Sequence, residues 1–231
     1  MLGKKIIIAI DGFASSGKST LAKDLAKALG YVFIDTGAMY RGISYFAKHH
    51  GFISSGEVNR QALIESLNSI ELHFGTINAQ NELPLFLNGI EITKEIRTNE
   101  ISAIVSMVAL IPEVRAKLVQ MQREMGKNGG IVMDGRDIGT VVFPNADLKL
   151  FVTADLAVRA KRRFQEMQHI NPMVDLQQVM NNLAERDRID TTRAHSPLLQ
   201  AADAILFDTG LMTRESQLKN ALELAQKVIN A

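Results

Sequence analysis

Five short apolar runs punctuate the chain, at KIIIAI (residues 5–10), YVFID (31–35), GIVMD (130–134), LKLFVT (148–153) and AILFD (204–208). Each has the length of a buried strand, and stretches with helically spaced apolar positions separate them. Strands that are apolar throughout, alternating with helices, predict an α/β fold with a central parallel five-stranded sheet flanked by helices on both faces. Four of the runs end at or beside an aspartate: Asp11, Asp35, Asp134 and Asp208. Ligands of open α/β sheets bind beyond the carboxyl ends of the strands, so acids gathered there point to a site.

Residues 54–98 break this rhythm. GEVNRQALIESLNSI (56–70) has helical spacing, ELHF follows, and ELPLFLNGIEIT (82–93) places Asn88-Gly89 between two short apolar runs. Asn-Gly in that setting predicts a type I′ hairpin, and the segment reads as a small antiparallel insertion. NEISAIVSMVAL (99–110) predicts a helix, and Pro112 opens another that stops at the glycines near 129. The last stretch, from Arg214, reads as an amphipathic helix closing the sheet. There is no internal repeat and no low-complexity linker, so residues 1–231 are expected to form a single domain that includes the insertion.

Composition narrows the function classes. The chain has 231 residues, 46% hydrophobic and 22% charged, with a formal net charge of +1. That balance argues against a general nucleic-acid binder, whose affinity comes from excess Lys and Arg. The absence of cysteine excludes disulfides and thiolate metal sites. No apolar run approaches the roughly 20 residues that span a membrane. Ile6–Ile10 is too short for a signal-peptide core, so a cytoplasmic protein is expected.

The chemistry concentrates after the first strand. Gly12 and Gly17-Lys18-Ser19 satisfy G-x-x-x-x-G-K-[ST], a phosphate-binding loop made of Gly12, Phe13, Ala14, Ser15, Ser16, Gly17, Lys18, Ser19 and Thr20. Glycines permit a tight path whose N–H groups converge on phosphate oxygens, and the following helix adds its N-terminal donors. Lys18 can reach the β- and γ-phosphates, and the Ser19 hydroxyl can ligate Mg²⁺. Asp134, ending its apolar run, suits a carboxylate that helps hold Mg²⁺ through water. Such a loop alone does not separate a kinase from a switch GTPase or a motor. The chain has no N-K-x-D guanine-reading motif, which disfavours the GTPase.

Further cations suggest a second anion site. In DTGAMYRG (35–42), Thr36 and Gly37 can cap a helix whose N-terminus attracts an anion, with Arg41 a turn further on. Arg136 and Asp137 follow the Asp134 strand. Arg159, Arg162 and Arg163 share one helical face, as do Arg186 and Asp190, with Arg193 beyond. Taken singly, these also read as a salt-bridged turn, a solvated basic face and a helix ion pair. Gathered around a triphosphate loop, they are what phosphoryl transfer between two anions requires, because guanidinium groups bind phosphate oxygens bidentately.

GFASSGKST, DTGAMYR, EIRT, PEVR, DGRDIGTVVFP, ERDRID and ADAILFDTG occur in the order and spacing of the bacterial cytidylate kinases, which the sequence resembles over essentially its whole length. DGRDIGTVVFP is the most specific of these, and the insertion is similar to one that marks bacterial members. The resemblance implies a P-loop nucleoside monophosphate kinase that moves the γ-phosphoryl group of ATP to CMP or dCMP with Mg²⁺. It implies that Arg41, Arg136 and Arg186 hold the acceptor phosphate with Thr36 nearby, and that Ser106, Arg115 and Asp137 read the cytosine. Asp190, with Arg186, would contact the ribose. Arg159, Arg162 and Arg163 would lie on a mobile helical lid spanning residues 154–195, and Arg193 would approach the reacting phosphates. Without the resemblance, Ser106 reads as a small residue packed within an amphipathic helix. A monomer acting on small molecules, with no nucleic acid or membrane partner, is expected. The loop departs from the family's common Pro and Gly at Phe13 and Ser15, and Ile189 is apolar where a polar residue is usual. The five histidines read as surface or capping residues. The nearest rivals are a P-loop kinase for another acceptor, such as UMP, dTMP or shikimate, and a nucleotide sensor without turnover.

Overall fold

The computed structural model describes residues 4–54, 56–77, 83–168 and 172–230. Its strands, in chain order, are β1 (Ile7–Gly12), β2 (Val32–Asp35), β3 (Ile53–Ser54), β4 (Glu57–Val58), β5 (Leu72–Phe74), β6 (Leu85–Leu87), β7 (Ile90–Glu91), β8 (Ile131–Gly135), β9 (Leu148–Thr153) and β10 (Ile205–Asp208). The helices are α1 (Lys18–Leu29), α2 (Thr36–His49), α3 (Arg60–Ser66), α4 (Asn99–Val108), α5 (Pro112–Gly126), α6 (Leu156–Gln168), α7 (Leu176–Thr192) and α8 (Arg214–Ile229). They group into two compact units, residues 1–34 with 126–231, and residues 35–125.

All five predicted strands form one sheet in the order β10-β9-β1-β8-β2. β1 lies at its centre, parallel to β8 and β9, with Asp11 level with Gly135 on one side and Phe151 on the other. Such a strand is covered on both faces, which is why its sequence is apolar rather than alternating. Ile8 and Ile10 pack with Leu148, Leu150, Val152 and Phe207, and with Leu21 and Leu25 of α1 and Ala221 and Ala225 of α8. Gly30, in the left-handed conformation at φ 67°, ends α1 and lets Tyr31 N–H bond back to Ala26 O. The expected lid region contributes α6 and α7, whose Ala160, Val179 and Leu183 pack with Ala14 of the loop after β1. His169 lies outside the described residues.

In the other unit α2 buries Met39, Ile43 and Phe46 against Leu63, Ile70, Leu72, Leu85, Ile92 and Ile96, and against Val105, Val108, Val114 and Leu118 of the helices that follow. The insertion is antiparallel, as its sequence predicts. β5 pairs with β6, and β6 with β7 through Leu87 opposite Ile90. The two loop residues Asn88 and Gly89 both have positive φ, 48° and 80°, as a type I′ turn demands. Gly42 is where α2 meets this hairpin, since a Cβ there would stand 3.0 Å from Leu72 Cδ2.

Two local expectations are corrected. The helix expected over 56–70 is confined to Arg60–Ser66 and one 3-10 turn, Leu67–Ser69. Asn59 starts it by accepting from Ala62 N–H, while Glu57 and Val58 pair instead with Ser54 and Ile53. The cap of α2 is Asp35, not Thr36 or Gly37. The Asp35 carboxylate accepts from Ala38 N–H at 3.1 Å, and Thr36 is already helical. His49 and His50 end α2 as expected, and His73 stacks on Phe86. Among the described residues no helix is long and apolar enough to cross a membrane.

Candidate active site

The phosphate loop leaves β1 through Gly12, at φ 152°. A Cβ at Gly12 would stand 2.0 Å from Val152 O, so the strand pairing admits only glycine. Ser16 Oγ donates to Phe13 O, and Gly17, at φ 87°, caps α1 with backbone alone. The leading N–H groups of α1 therefore face the loop without a side chain over them. Ser15 holds φ 57°, a left-handed conformation that costs a non-glycine residue about 1–2 kcal/mol. Lys18 is buried at the start of the helix.

Ser19 Oγ donates to Asp134 Oδ2, so the first helical turn and the end of β8 meet as the sequence suggests. A hydroxyl and a carboxylate are hard oxygen ligands of the kind Mg²⁺ selects. The residues present therefore fit that ion.

Beyond Asp134 the chain passes Arg136 and Asp137 and winds into a single wide turn of π-helical spacing, Ile138–Val142. The carboxylate of Asp11, at the end of β1, accepts from Ile138 N–H and from Gly139 N–H, each at 2.7 Å. Burial pushes the Asp11 carboxyl up to about 7, against the pull of those two donors.

The arginines divide by environment. Arg136 Nε donates to Asp190 Oδ2 at 2.8 Å, and Arg193 Nη1 lies 3.5 Å from Asp190 Oδ1. Burial pushes the Asp190 carboxyl up, but Arg136, with smaller contributions from Arg186 and Arg193, holds it below its ordinary value. The same burial opposes the charge on Arg136, and Asp190 more than offsets it, so the guanidinium is raised. Arg159 is buried, with Nε donating to Ala154 O and Nη1 to Asp187 Oδ2 at 2.7 Å and Ala14 O at 3.3 Å. Its guanidinium also lies over the Phe13 ring, 5.0 Å from the centroid. Arg162 reaches Thr209, with Nη1 to Oγ1 at 3.0 Å and Nη2 to the carbonyl at 2.7 Å, while the Thr209 hydroxyl bonds Ser16 O at 2.7 Å. Arg163 turns outward to Glu166. The three arginines of α6 thus share a helix but not an environment.

Four expected substrate residues belong to the unit of residues 35–125. Arg41 Nη2 pairs with Asp35 Oδ2 at 2.7 Å. A Cβ at Gly37 would crowd that pair, standing 3.0 Å from Asp35 Oδ1 and 3.1 Å from Arg41 Nη1. The N-terminus of α2, expected to attract an anion, thus carries a carboxylate of its own, and Arg41 is held beside it. Thr36 is buried in the first turn, Ser106 is half-buried on α4, and Arg115 is buried with Nη1 bonded to Ala109 O and its guanidinium 5.4 Å from the Tyr40 ring centroid.

Sequence reasoning gave no role to Asp11, Asp187 or Thr209. Asp187 stands 28 positions from Arg159, Thr209 stands 193 from Ser16, and Asp11 stands 127 from Ile138. The only signals were Asp11 and Asp208-Thr209 standing at strand ends.

Comparison with known proteins gives one answer. The family model described as cytidylate kinase matches residues 8–227. The cytidylate kinase of Flavobacterium johnsoniae is 53% identical over 226 residues, covering 98% of each chain. Those of Flavobacterium psychrophilum and Parabacteroides distasonis are 51% and 50% identical, covering 97% and 99% of this chain and all of their own. An identity of half the residues along chains of matching length, joined to a phosphate loop and carboxylate set on a parallel sheet, leaves no other assignment: the chain belongs to the cytidylate kinase family of nucleoside monophosphate kinases.

Proposed function

We propose that the protein transfers the γ-phosphoryl group of ATP to CMP or dCMP with Mg²⁺, giving ADP and CDP or dCDP. The observation that supports this best is the meeting of Ser19 and Asp134 at the start of the phosphate-loop helix, with Arg136 and Asp137 following Asp134 just past the end of β8. Ser19, and Asp134 through water, would hold Mg²⁺, which supplies charge neutralisation on the transferring phosphates when bound.

The remaining chemistry belongs to the chain. The loop N–H groups and Lys18 hold the donor phosphates. Arg41, Arg136 and Arg186 hold the acceptor phosphate, with Thr36 beside them, and Arg162, Arg163 and Arg193 stabilise the charge that spreads over the transferring oxygens. Arg159, fixed between Asp187 and the loop carbonyl of Ala14, holds the cradle in shape. No general base is required, because the acceptor is a phosphate already ionised at neutral pH, and positioning and electrostatics carry the rate.

Base choice follows from donor and acceptor pattern. Cytosine presents an exocyclic amine that donates, matching the Asp137 carboxylate, and a ring nitrogen and carbonyl that accept, matching Arg115, with Ser106 completing the set. Uracil reverses the first two and would set lone pair against carboxylate and donor against donor. Sites built on such pairs discriminate strongly. Asp190 with Arg186 contacts the ribose.

The test is ADP release with Mg-ATP against CMP, dCMP, UMP, AMP and GMP. Strong preference for CMP and dCMP is expected. Turnover confined to another acceptor would remove the roles of Ser106, Arg115 and Asp137.

A further inference from the structure

We propose that Thr209 is a positioning residue for phosphoryl transfer: its hydroxyl and carbonyl clamp the Arg162 guanidinium against the phosphate loop. The proposal rests on the reading of Arg162 as a group that stabilises the transferring phosphate, and adds to it what holds that group in place.

An arginine side chain has many rotamers, so a guanidinium that must meet a reacting phosphate needs fixed partners. Thr209 supplies them. Arg162 Nη1 donates to Thr209 Oγ1 at 3.0 Å, and Nη2 to the Thr209 carbonyl at 2.7 Å. Both bonds use the edge between Nη1 and Nη2. Neither uses the edge that carries Nε, which is itself a fork of donors suited to phosphate oxygens. Arg163, the next residue, turns outward to Glu166 instead, so the clamp singles out one arginine of the pair.

The hydroxyl carries a single proton, and its surroundings decide where that proton goes. Ser16 O lies 2.7 Å from Oγ1 and Thr153 O lies 3.1 Å away. Both carbonyls only accept, whereas a guanidinium only donates. The proton therefore points to Ser16 O, at the shorter distance, and a lone pair faces Arg162. One hydroxyl thus joins the phosphate loop to the guanidinium. Ser16 and Thr209 are both fully buried, so water does not replace either bond. Arg162 Nη1 also lies 3.4 Å from Ser16 O, and a Cβ at Gly17 would stand 3.8 Å from Nη1. The guanidinium is set beside the loop residues that precede Lys18.

Thr209 is held in turn by the sheet. β10 pairs with β9, Asp208 opposite Thr153, and Thr209 N–H continues the ladder to Thr153 O at 2.9 Å. On the other side of β9, Val152 lies opposite Gly12, where the phosphate loop begins. Clamp and loop therefore leave the sheet from neighbouring residues of one strand. Valine at position 209 would keep the shape but offer neither proton nor lone pair, leaving a buried carbonyl and a guanidinium N–H unpaired. Serine would keep both.

The experiment measures kcat and the KM of ATP, with CMP as acceptor, in the parent, Thr209→Val, Thr209→Ser, Arg162→Ala and Thr209→Val/Arg162→Ala. Parent turnover and its fall in Arg162→Ala test the reading on which the proposal rests, and absence of either would overturn that reading rather than the clamp. With both present, Thr209→Val should lower kcat about a hundredfold, the loss that a small displacement of a positioned group produces. The KM of ATP should change far less than kcat, Thr209→Ser should return kcat to near the parent value, and the double variant should be no slower than Arg162→Ala. A Thr209→Val enzyme with the parent's kcat, or one whose loss multiplies with that of Arg162→Ala, would overturn the proposal. So would a loss that falls on the KM of ATP and persists without Arg162, which would make Thr209 a support of the loop alone. A measurement on the parent covers the case in which Thr209→Val does not fold. In nitrogen-15 spectra the Nη1 and Nη2 groups of Arg162 should give separate signals, because the clamp slows rotation about their bonds to Cζ, and rapid rotation would refute it.

Discussion

Removing Arg159 should act on the fold of the phosphate loop before it acts on chemistry, and the structure sets the size of the effect. Arg159→Ala deletes the charged bond to Asp187, the bonds to the Ala154 and Ala14 carbonyls, and the guanidinium over Phe13. The side chains of Arg159 and Asp187 are 6% and 15% exposed, so this is a buried pair. Asp187 Oδ1 has no hydrogen-bond partner among the described residues, which leaves Oδ2 and Arg159 as the carboxylate's main support. Removing one member of such a pair costs about 3–5 kcal/mol, because the other charge stays buried. At about 2–4 °C per kcal/mol for a chain of this size, the unfolding midpoint should fall by roughly 6–20 °C. Thermal unfolding followed by far-ultraviolet circular dichroism reads this directly. Burial already pushes the Asp187 carboxyl above its ordinary value despite Arg159, so an orphaned Asp187 should take up a proton, and removing it as well should return part of the loss. The double variant Arg159→Ala/Asp187→Ala should therefore be more stable than the sum of the single losses, by about 1–3 kcal/mol. Arg163→Ala, on the same helix with its partner in solvent, should shift stability by no more than about 0.5 kcal/mol. An Arg159→Ala protein with the parent's midpoint and a collapsed kcat would refute the reasoning and make Arg159 a mobile catalytic arginine.

Three further outcomes are expected. Lys18→Ala should lower kcat about 10²–10³-fold with the fold intact, the worth of one transition-state donor of about 2.7–4 kcal/mol, and parent-like turnover would refute the phosphate-loop assignment. Ser15→Gly should raise stability by about 0.5–1 kcal/mol in urea unfolding, since relief of the left-handed strain exceeds the added freedom of the unfolded chain; a fall would show that φ 57° carries no strain. Asp147 accepts from Ile7 N–H at 2.9 Å and pairs with Lys4, and these outweigh burial to hold its carboxyl below the ordinary 3.8. A depressed acid stabilises the fold above its unfolded pKa and loses that contribution as pH falls through the folded value. Asp147→Asn should therefore cost about 1 kcal/mol at neutral pH, with the gap to the parent closing below pH 3.8, and a gap constant with pH would refute the pairing.

What the sequence disclosed and what it withheld follow from the range of the interactions. β1, β2, β8, β9 and β10 were legible because a strand covered on both faces must be apolar at consecutive positions, a property each segment shows by itself. The Asn88-Gly89 turn was legible because two adjacent positive φ angles leave few residues to choose from. The start of α3 was misread where two local signals compete. Periodicity ran on through Gly56–Val58, but Asn59 offers a cap and the residues before it a strand pair. The cap of α2 was misassigned by one residue for the same reason, since Asp35 and Thr36 are both good capping residues and only the extended backbone at Asp35, φ −83° and ψ 95°, decides between them.

For the site, residue identity proved easier to read than residue partnership. A run of arginines at i, i+3 and i+4 promised one basic face, and α6 instead gives each a different fate: Arg159 buried against the loop, Arg162 on Thr209, Arg163 toward solvent. The partners that separate them, Asp187 and Thr209, come from α7 and from beyond β10, and no local pattern could nominate them. The carboxylates follow the same logic. An acid at a strand end suggests a ligand, and Asp134 meets the Ser19 hydroxyl at the start of α1. Asp11 and Asp35 carry the same signal but cap turns instead, and Asp35 also holds Arg41. Strand-end acids in this fold thus divide between Asp134, which meets a side-chain hydroxyl of the phosphate-loop helix, and Asp11 and Asp35, which fix backbone N–H groups. The division turns on whether unpaired N–H groups lie within reach, which depends on the register of neighbouring strands and helices and is visible only once the chain is folded.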